Sequence, residues 1–296
     1  MNIINWVTSR FEEKHTLLEA LSLRIPSAPQ AFLRQLCKKQ RVLLDGQVVA
    51  AEMPVLSGQG ISIKSSQRLD EILAAAPLLP QAILFEDKSC LVVNKSAGLL
   101  THPDQNCDDS LLTRLQAFSR LRGEKFQLAP IHRLDVGTSG PVLFGKGKAA
   151  TSQLGKALMG NWLQKSYLAL VSGVTPEQGE LLSKVPAKGK EKESRTLYRR
   201  IDCTDAHTLL RLRLITGRQH QIRRQLTDAG WPIVGDSRYG GEARNGLEHP
   251  FLHCEQLSFP SLEAQEEIQV FCALPTQLEA QLAERGLAVP ARNQAR

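Results

Sequence analysis

Ala129-Pro130-Ile131-His132-Arg133-Leu134-Asp135-Val136-Gly137-Thr138-Ser139-Gly140 has the grammar of a loop between two apolar segments. Pro130 restricts the backbone on entry, while Gly137 and Gly140 allow angles closed to other residues. The run Pro141-Val142-Leu143-Phe144 predicts a short buried strand, which holds the end of the loop rigid and turns its polar residues towards a cleft. A loop anchored in this way suits chemistry better than packing, and its one carboxylate is Asp135. Taken alone, an Asp flanked by Arg and Thr-Ser-Gly is more often a turn-former or a surface ion pair.

The wider pattern weighs against that plain reading. From His132 to Gly140 the chain spells His-Arg-Leu-Asp-x-x-Thr-Ser-Gly, with seven fixed positions in nine. This resembles the signature of the RluA family of RNA pseudouridine synthases, whose catalytic residue is the Asp of the motif. A match of that length arises by chance far less often than the short motifs known for false positives. The resemblance implies two further landmarks downstream. One is the alternating strand Lys165 to Gly173, where Tyr167 takes the place of the family's active-site Tyr. The other is Leu209 to Arg223, where Arg223 stands where the family has an Arg that pairs with the catalytic Asp; Gly230 to Gly240 then follows the family pattern. Two positions depart from it. Ser96 replaces the Pro that ordinarily follows Asn94-Lys95, which loosens a turn, and Gln225 stands where many members have His, which tunes the surroundings of the pocket.

The implied reaction breaks a carbon–nitrogen glycosidic bond and makes a carbon–carbon bond to the same base, so neither cofactor nor metal is expected. Asp135 attacks the ribose or takes a proton from it, and Arg223 keeps that carboxylate charged in a pocket that excludes water. By resemblance, Tyr167 packs its ring on the uracil and takes part in moving a proton at the end. RNA-binding candidates near the loop are Arg133, His132 and Arg218, with Arg133 filling the space left by the flipped base or holding the backbone.

At 296 residues, with 42% hydrophobic and 23% charged residues, the chain has the composition of a globular protein, and two domains is the better prior. No apolar run reaches the 18 or so residues of a membrane span, and the start Met1-Asn2-Ile3-Ile4-Asn5-Trp6 lacks a secretory layout, so a cytoplasmic protein is expected. Six cysteines without close spacing suggest neither a zinc site nor disulfides. The net charge of +7 fits a polyanionic partner, and 5% aromatics argue against an extended base-stacking platform.

Residues 1–66 read as a small module: helical patterns at Thr16–Leu21 and Ala31–Cys37, two strand-like runs around Asp45-Gly46, and a third strand within Val55–Ile63. It resembles the S-four-like RNA-binding domain, with Lys38, Lys39 and Arg41 as its basic cluster. Residues 67–82, rich in Ala and Pro, read as a linker, 83–286 as the catalytic domain and 287–296 as a flexible tail. The charged stretch Lys184 to Arg200 predicts a solvated hairpin, and Leu209 to Leu214 an edge or half-exposed strand. Gly140 to Gly147 nearly spells a P-loop, but Gly147 occupies the place of the magnesium-holding Ser or Thr.

The expectation is thus an α+β protein with a mainly antiparallel, mixed central sheet and flanking helices, acting as a monomer on RNA. Ribosomal RNA is favoured and transfer RNA is the alternative. Two rivals are a non-catalytic RNA-binding protein and a glycoside hydrolase with paired carboxylates; for the latter, Asp236 is the suggestive second acid. On the synthase reading, Asp236→Asn should leave activity largely intact.

Overall fold

In the computed structural model, which describes residues 3–8, 15–25, 28–75, 82–105, 107, 109–160, 162–187, 190–242, 246–264 and 266–290, the chain divides into two units. They are Met1–Ala82 with Thr113–Phe126, and Ile83–Leu112 with Gln127–Arg296. In chain order the elements of the first half are β1 (Ile3–Val7), α1 (Leu17–Arg24), α2 (Gln30–Lys38), β2 (Val42–Leu44), β3 (Gly60–Lys64), α3 (Gln67–Ala75), β4 (Ile83–Glu86), β5 (Cys90–Lys95) and α4 (Leu111–Leu121). Then come β6 (Leu128–Pro130), β7 (Gly140–Lys146), α5 (Gly147–Met159), β8 (Gln164–Ser172), β9 (Gln178–Ala187), β10 (Lys190–Cys203), β11 (His207–Leu214), α6 (Gln221–Asp228), β12 (Leu252–Pro260), β13 (Glu267–Phe271) and α7 (Thr276–Glu284).

The first unit carries the antiparallel sheet β1-β3-β2. Thr16 and Glu19 cap α1 reciprocally, each accepting the other's backbone N–H. Leu17, Leu21, Leu33, Ile61 and Ile63 are fully buried in its core. Asp45 and Gly46 both take positive φ, as the Asp-Gly signal requires. The run after them is not a strand: Leu44 bridges Gln47 once, and β2 finds its partner in β3 instead. The Asp45 carboxylate reinforces that choice by accepting the Gly60 N–H at 2.7 Å and Gln59 Nε2 at 2.9 Å. Residues 67–75, read from sequence as part of a linker, form α3, because Leu69 and Ile72 have a core to enter. Pro77 and Pro80, which prompted that reading, lie outside the described residues. The chain start, read only for its lack of a signal, supplies β1. Lys38 and Lys39 are exposed at the end of α2, and Arg41, half-buried, reaches the Ser65 carbonyl at 3.4 Å.

The second unit holds two antiparallel sheets, β13-β12-β8-β11-β10-β9 and β4-β5-β7-β6. Cys90, Val92, Leu143, Leu154, Leu257 and Phe259 form one of its cores, each large apolar side chain contributing about 1.5–3 kcal/mol by leaving water. Strand β11 lies inside the larger sheet between β8 and β10, so it is not an edge. Its alternating Arg residues are accommodated on one face, where Arg211 donates to Glu255. The β9–β10 hairpin is solvated at Lys192, Glu193 and Arg195, while Lys188 lies outside the described residues. At the far end Leu287 is buried and the Ala288 N–H donates to Asp202 at 2.9 Å, so the chain is held past the predicted start of the tail; residues 291–296 lie outside the described set. Cys37, Cys90, Cys254 and Cys272 are buried free thiols, and Cys107 and Cys203 are exposed ones. Among the described residues no helix is long and apolar enough to cross a membrane.

Candidate active site

The loop of residues 131–139 joins β6 to β7 and is tied down along its length. Ile131 N–H donates to the Leu143 carbonyl, and Leu134 exchanges two hydrogen bonds with the Thr101 hydroxyl, at 3.0 and 3.2 Å. The Val136 carbonyl accepts from the Gly98 N–H at 2.8 Å and from Lys95 Nζ at 3.1 Å. Ser139 bonds His253 Nδ1 through its hydroxyl at 2.8 Å, and its carbonyl takes the Cys254 N–H at 2.8 Å. Gly140 has a φ of +127°, and a Cβ there would collide with the Cys254 carbonyl, so the sequence has no alternative to Gly. Asp135 therefore sits on a loop with the fixity of a strand, its side chain 19% exposed.

Lys95 is a fully buried support of this loop. Its Nζ donates to the carbonyls of Ser96, Leu99 and Val136, which satisfies all three donors of an ammonium. Burial pulls its pKa down to about 7, with the nearby Asp135 opposing. His132, expected to contact RNA, instead supports the loop from within. Its Nε2 accepts the Leu143 N–H at 3.2 Å, which places the ring proton on Nδ1 and braces the loop on β7. Burial, with Lys165 adding to it, holds its pKa well below the ordinary value.

Asp135 opens on a cleft of about 530 Å³ lined by Arg133, Lys165, Tyr167, Arg218, His220 and Arg223, among others. Lys165 and Tyr167 are two residues apart on β8 and so face the same side. Tyr167 is buried, and burial, then Cys254 and Asp135, push its phenol well above its usual pKa. Burial lowers the pKa of Lys165, with Cys254 and Asp135 working against the shift. Arg133 is exposed at the cleft, and Arg218 Nε has no acceptor among the described residues.

The expected partnership of Arg223 is where the structure departs most. Arg223, on α6, donates Nε to Asp236 Oδ2 at 2.6 Å and an Nη to Oδ1 at 2.7 Å. Its ion pair is with Asp236, not with Asp135, although it lines the same cleft and Asp135 contributes to its electrostatics. Burial pulls the Arg223 pKa down, but the Asp236 hydrogen bond and charge and the Asp135 charge more than reverse this. Asp236 is 1% exposed, so it is neither a second cleft acid nor a replaceable surface group. The sequence expectation that Asp236→Asn is harmless does not stand against this geometry.

The ionisable group that does approach the carboxylate is His220, which the sequence reading passed over: its Nε2 lies 3.9 Å from Asp135 Oδ1. It precedes α6 with a left-handed φ of 54°, unusual for a residue with a side chain, and its Nδ1 bonds the Tyr239 hydroxyl at 2.9 Å. Lys95 and Lys165 were missed as well. A lysine at the end of an apolar strand, as in Val92-Val93-Asn94-Lys95, is the one signal that could have marked a buried cation.

Residues 89–228 match a family described as RNA pseudouridylate synthase. The chain is 33% identical over 262 residues to "Ribosomal large subunit pseudouridine synthase C" of Yersinia pestis, covering 81% of this chain and 79% of that protein. The chain belongs to the RluA family of RNA pseudouridine synthases. A "Ribosomal large subunit pseudouridine synthase D" from Salmonella typhimurium is 32% identical to this synthase over 79% of its length and 76% of the relative's. Among solved structures, "Human RNA Pseudouridylate Synthase Domain Containing 4" superposes with a TM-score of 0.63 at 25% identity, covering 74% of the synthase and 98% of the human chain. The synthase is thus an isomerase with the α+β architecture of its structural neighbours.

Proposed function

We propose that Asp135 is the catalytic group of this synthase and that its substrate is a uridine in large-subunit ribosomal RNA. The observation that carries the first part is the carboxylate itself, fixed by a loop bonded on both sides of it at Leu134 and Val136 and opening on a cleft able to hold one nucleoside. The carboxylate acts at the ribose and releases the uracil, which the walls of the cleft retain while it turns to present C5 to C1′. The buried ring of Tyr167 forms part of that enclosure. A paired uridine leaves its stack at a cost of a few kcal/mol, and exposed Arg133 is placed to hold the backbone or the vacated space. Arg218 lines the same cleft and brings a guanidinium to a phosphate or base oxygen. The ribosomal target is supported by what the relatives are named for, and the net charge of +7 agrees with any large RNA.

Release of tritium from RNA labelled at uridine C5 tests this reading. The synthase should release label from ribosomal RNA, and Asp135→Asn should release none while still binding it. Label released from transfer RNA alone would move the substrate, and an active Asp135→Asn would remove Asp135 from its role.

A further inference from the structure

Isomerisation has to move one proton. When C5 of the uracil bonds to C1′, C5 still carries its hydrogen and N1 is doubly bonded to C6. A base then takes the C5 proton, the C–H electron pair forms C5=C6, the N1=C6 pair moves onto N1, and N1 gains a proton. Tyr167 is a poor base for this step, since its phenol is held protonated. His132 has its Nε2 occupied by the Leu143 N–H and its hydrogen on Nδ1.

We propose that Nε2 of His220 accepts the C5 proton and passes it on to N1 or to solvent. This rests on the reading of Asp135 as the group acting at C1′. His220 lines the cleft and brings Nε2 to 3.9 Å from the Asp135 carboxylate, at the site of bond exchange. Its ring is fixed from behind. The Tyr239 hydroxyl accepts Arg224 Nε at 3.2 Å and bonds His220 Nδ1 at 2.9 Å; the proposed step uses the tautomer with the ring proton on Nδ1, in which the Nε2 lone pair faces the cleft. The Tyr239 ring packs edge-on against the imidazole, with centroids 5.8 Å apart. The charges around it are Asp135 from the loop, Arg223 and Arg224 from α6, and Arg238 beside Tyr239. Burial lowers the His220 pKa, the three arginines lower it further and Asp135 opposes them. At rest the ring is therefore neutral and able to accept; once protonated, it has Asp135 as a counter-charge.

RNA carrying 5-fluorouridine separates this step from the rest, because C5 then bears no proton to remove. In single-turnover assays His220→Gln should convert uridine about 100-fold more slowly yet rearrange 5-fluorouridine within about threefold of wild type. The wild-type rate on uridine should also fall on the acid side of the ordinary imidazole range, since burial and the arginines lower the His220 pKa and the base is lost only by protonation, and this limb should vanish in His220→Gln. Equal losses on both RNAs, or unchanged conversion of uridine, would overturn the assignment. Should His220→Gln fail to fold, Tyr239→Phe, which cuts the anchor of the ring together with the Arg224 contact, should show the same split in smaller measure; equal losses there overturn it too. A wild-type protein inactive on uridine would instead overturn the activity assigned above, and the inference with it.

Discussion

Arg223 and Asp236 meet fork to fork, through two bonds of 2.6 and 2.7 Å, and the guanidinium also lies 4.8 Å from the Tyr239 ring centroid. Only a planar, permanently charged group fits both contacts, so Arg223→Lys is not a mild change. Removing the acid leaves an uncompensated buried cation: Asp236→Ala should cost about 3 kcal/mol in denaturant unfolding. Asp236→Asn keeps the shape but halves the acceptor capacity and frees Arg223 to shift, so the single-turnover rate should fall by about 100-fold with RNA affinity unchanged. A rate within twofold of wild type would mean that Arg223 does not need its partner to support the reaction. Lys95 offers the matching test without a carboxylate. Lys95→Met strands three carbonyls and should lower stability by about 3 kcal/mol, read from the midpoint of a urea titration.

At the scale of elements, the loop between β6 and β7 depends on Gly140. Gly140→Ala places a methyl group against the Cys254 carbonyl at a φ of +127° and should destabilise the protein by about 3 kcal/mol, seen as a lowered Tm with β7 and β12 forced apart. Gly140 could be marked from sequence because the loop needed a hinge before an apolar run. Strands β7 and β8 were equally plain from their short apolar and alternating patterns. Other features depend on which distant segments meet, and local spacing does not encode that. Strand β11 looked like an edge because its Arg residues alternate, yet β10 claims its outer side. The run after Asp45-Gly46 looked like a hairpin arm, yet β3 outcompetes it for β2. Arg223 was recognised as a site residue, but its partner lies 13 residues further on, and Asp236 was read there only as the second acid of a rival activity. His220 gave no local sign, since a left-handed imidazole is fixed by Tyr239 and not by its neighbours in sequence.

For the whole molecule, charge is the property that scales. A formal +7 makes RNA affinity fall steeply with salt, since each neutralised phosphate releases counterions. Lys38 and Lys39 are exposed on the first unit, away in sequence from every residue of the cleft. Replacing both with Ala should weaken RNA binding about tenfold at moderate salt and flatten the plot of log affinity against log salt by between about one and two units. Tritium release at saturating RNA should not change. An unaltered slope would mean that these lysines do not meet phosphate.

The bonds that hold residues 131–139 also set how that segment moves. The amides of Ile131, Leu134 and Thr138 all have acceptors, and the parallel bridge from Ser139 to His253 stitches the end of the loop to β12. Hydrogen exchange at those amides should be as slow as in β7, although the residues have no regular secondary structure. A segment held this way cannot swing over its ligand. In the role proposed for Asp135 the acid waits in place, and the time taken by each catalytic cycle before chemistry belongs to the RNA, which has to unstack its nucleotide and deliver it.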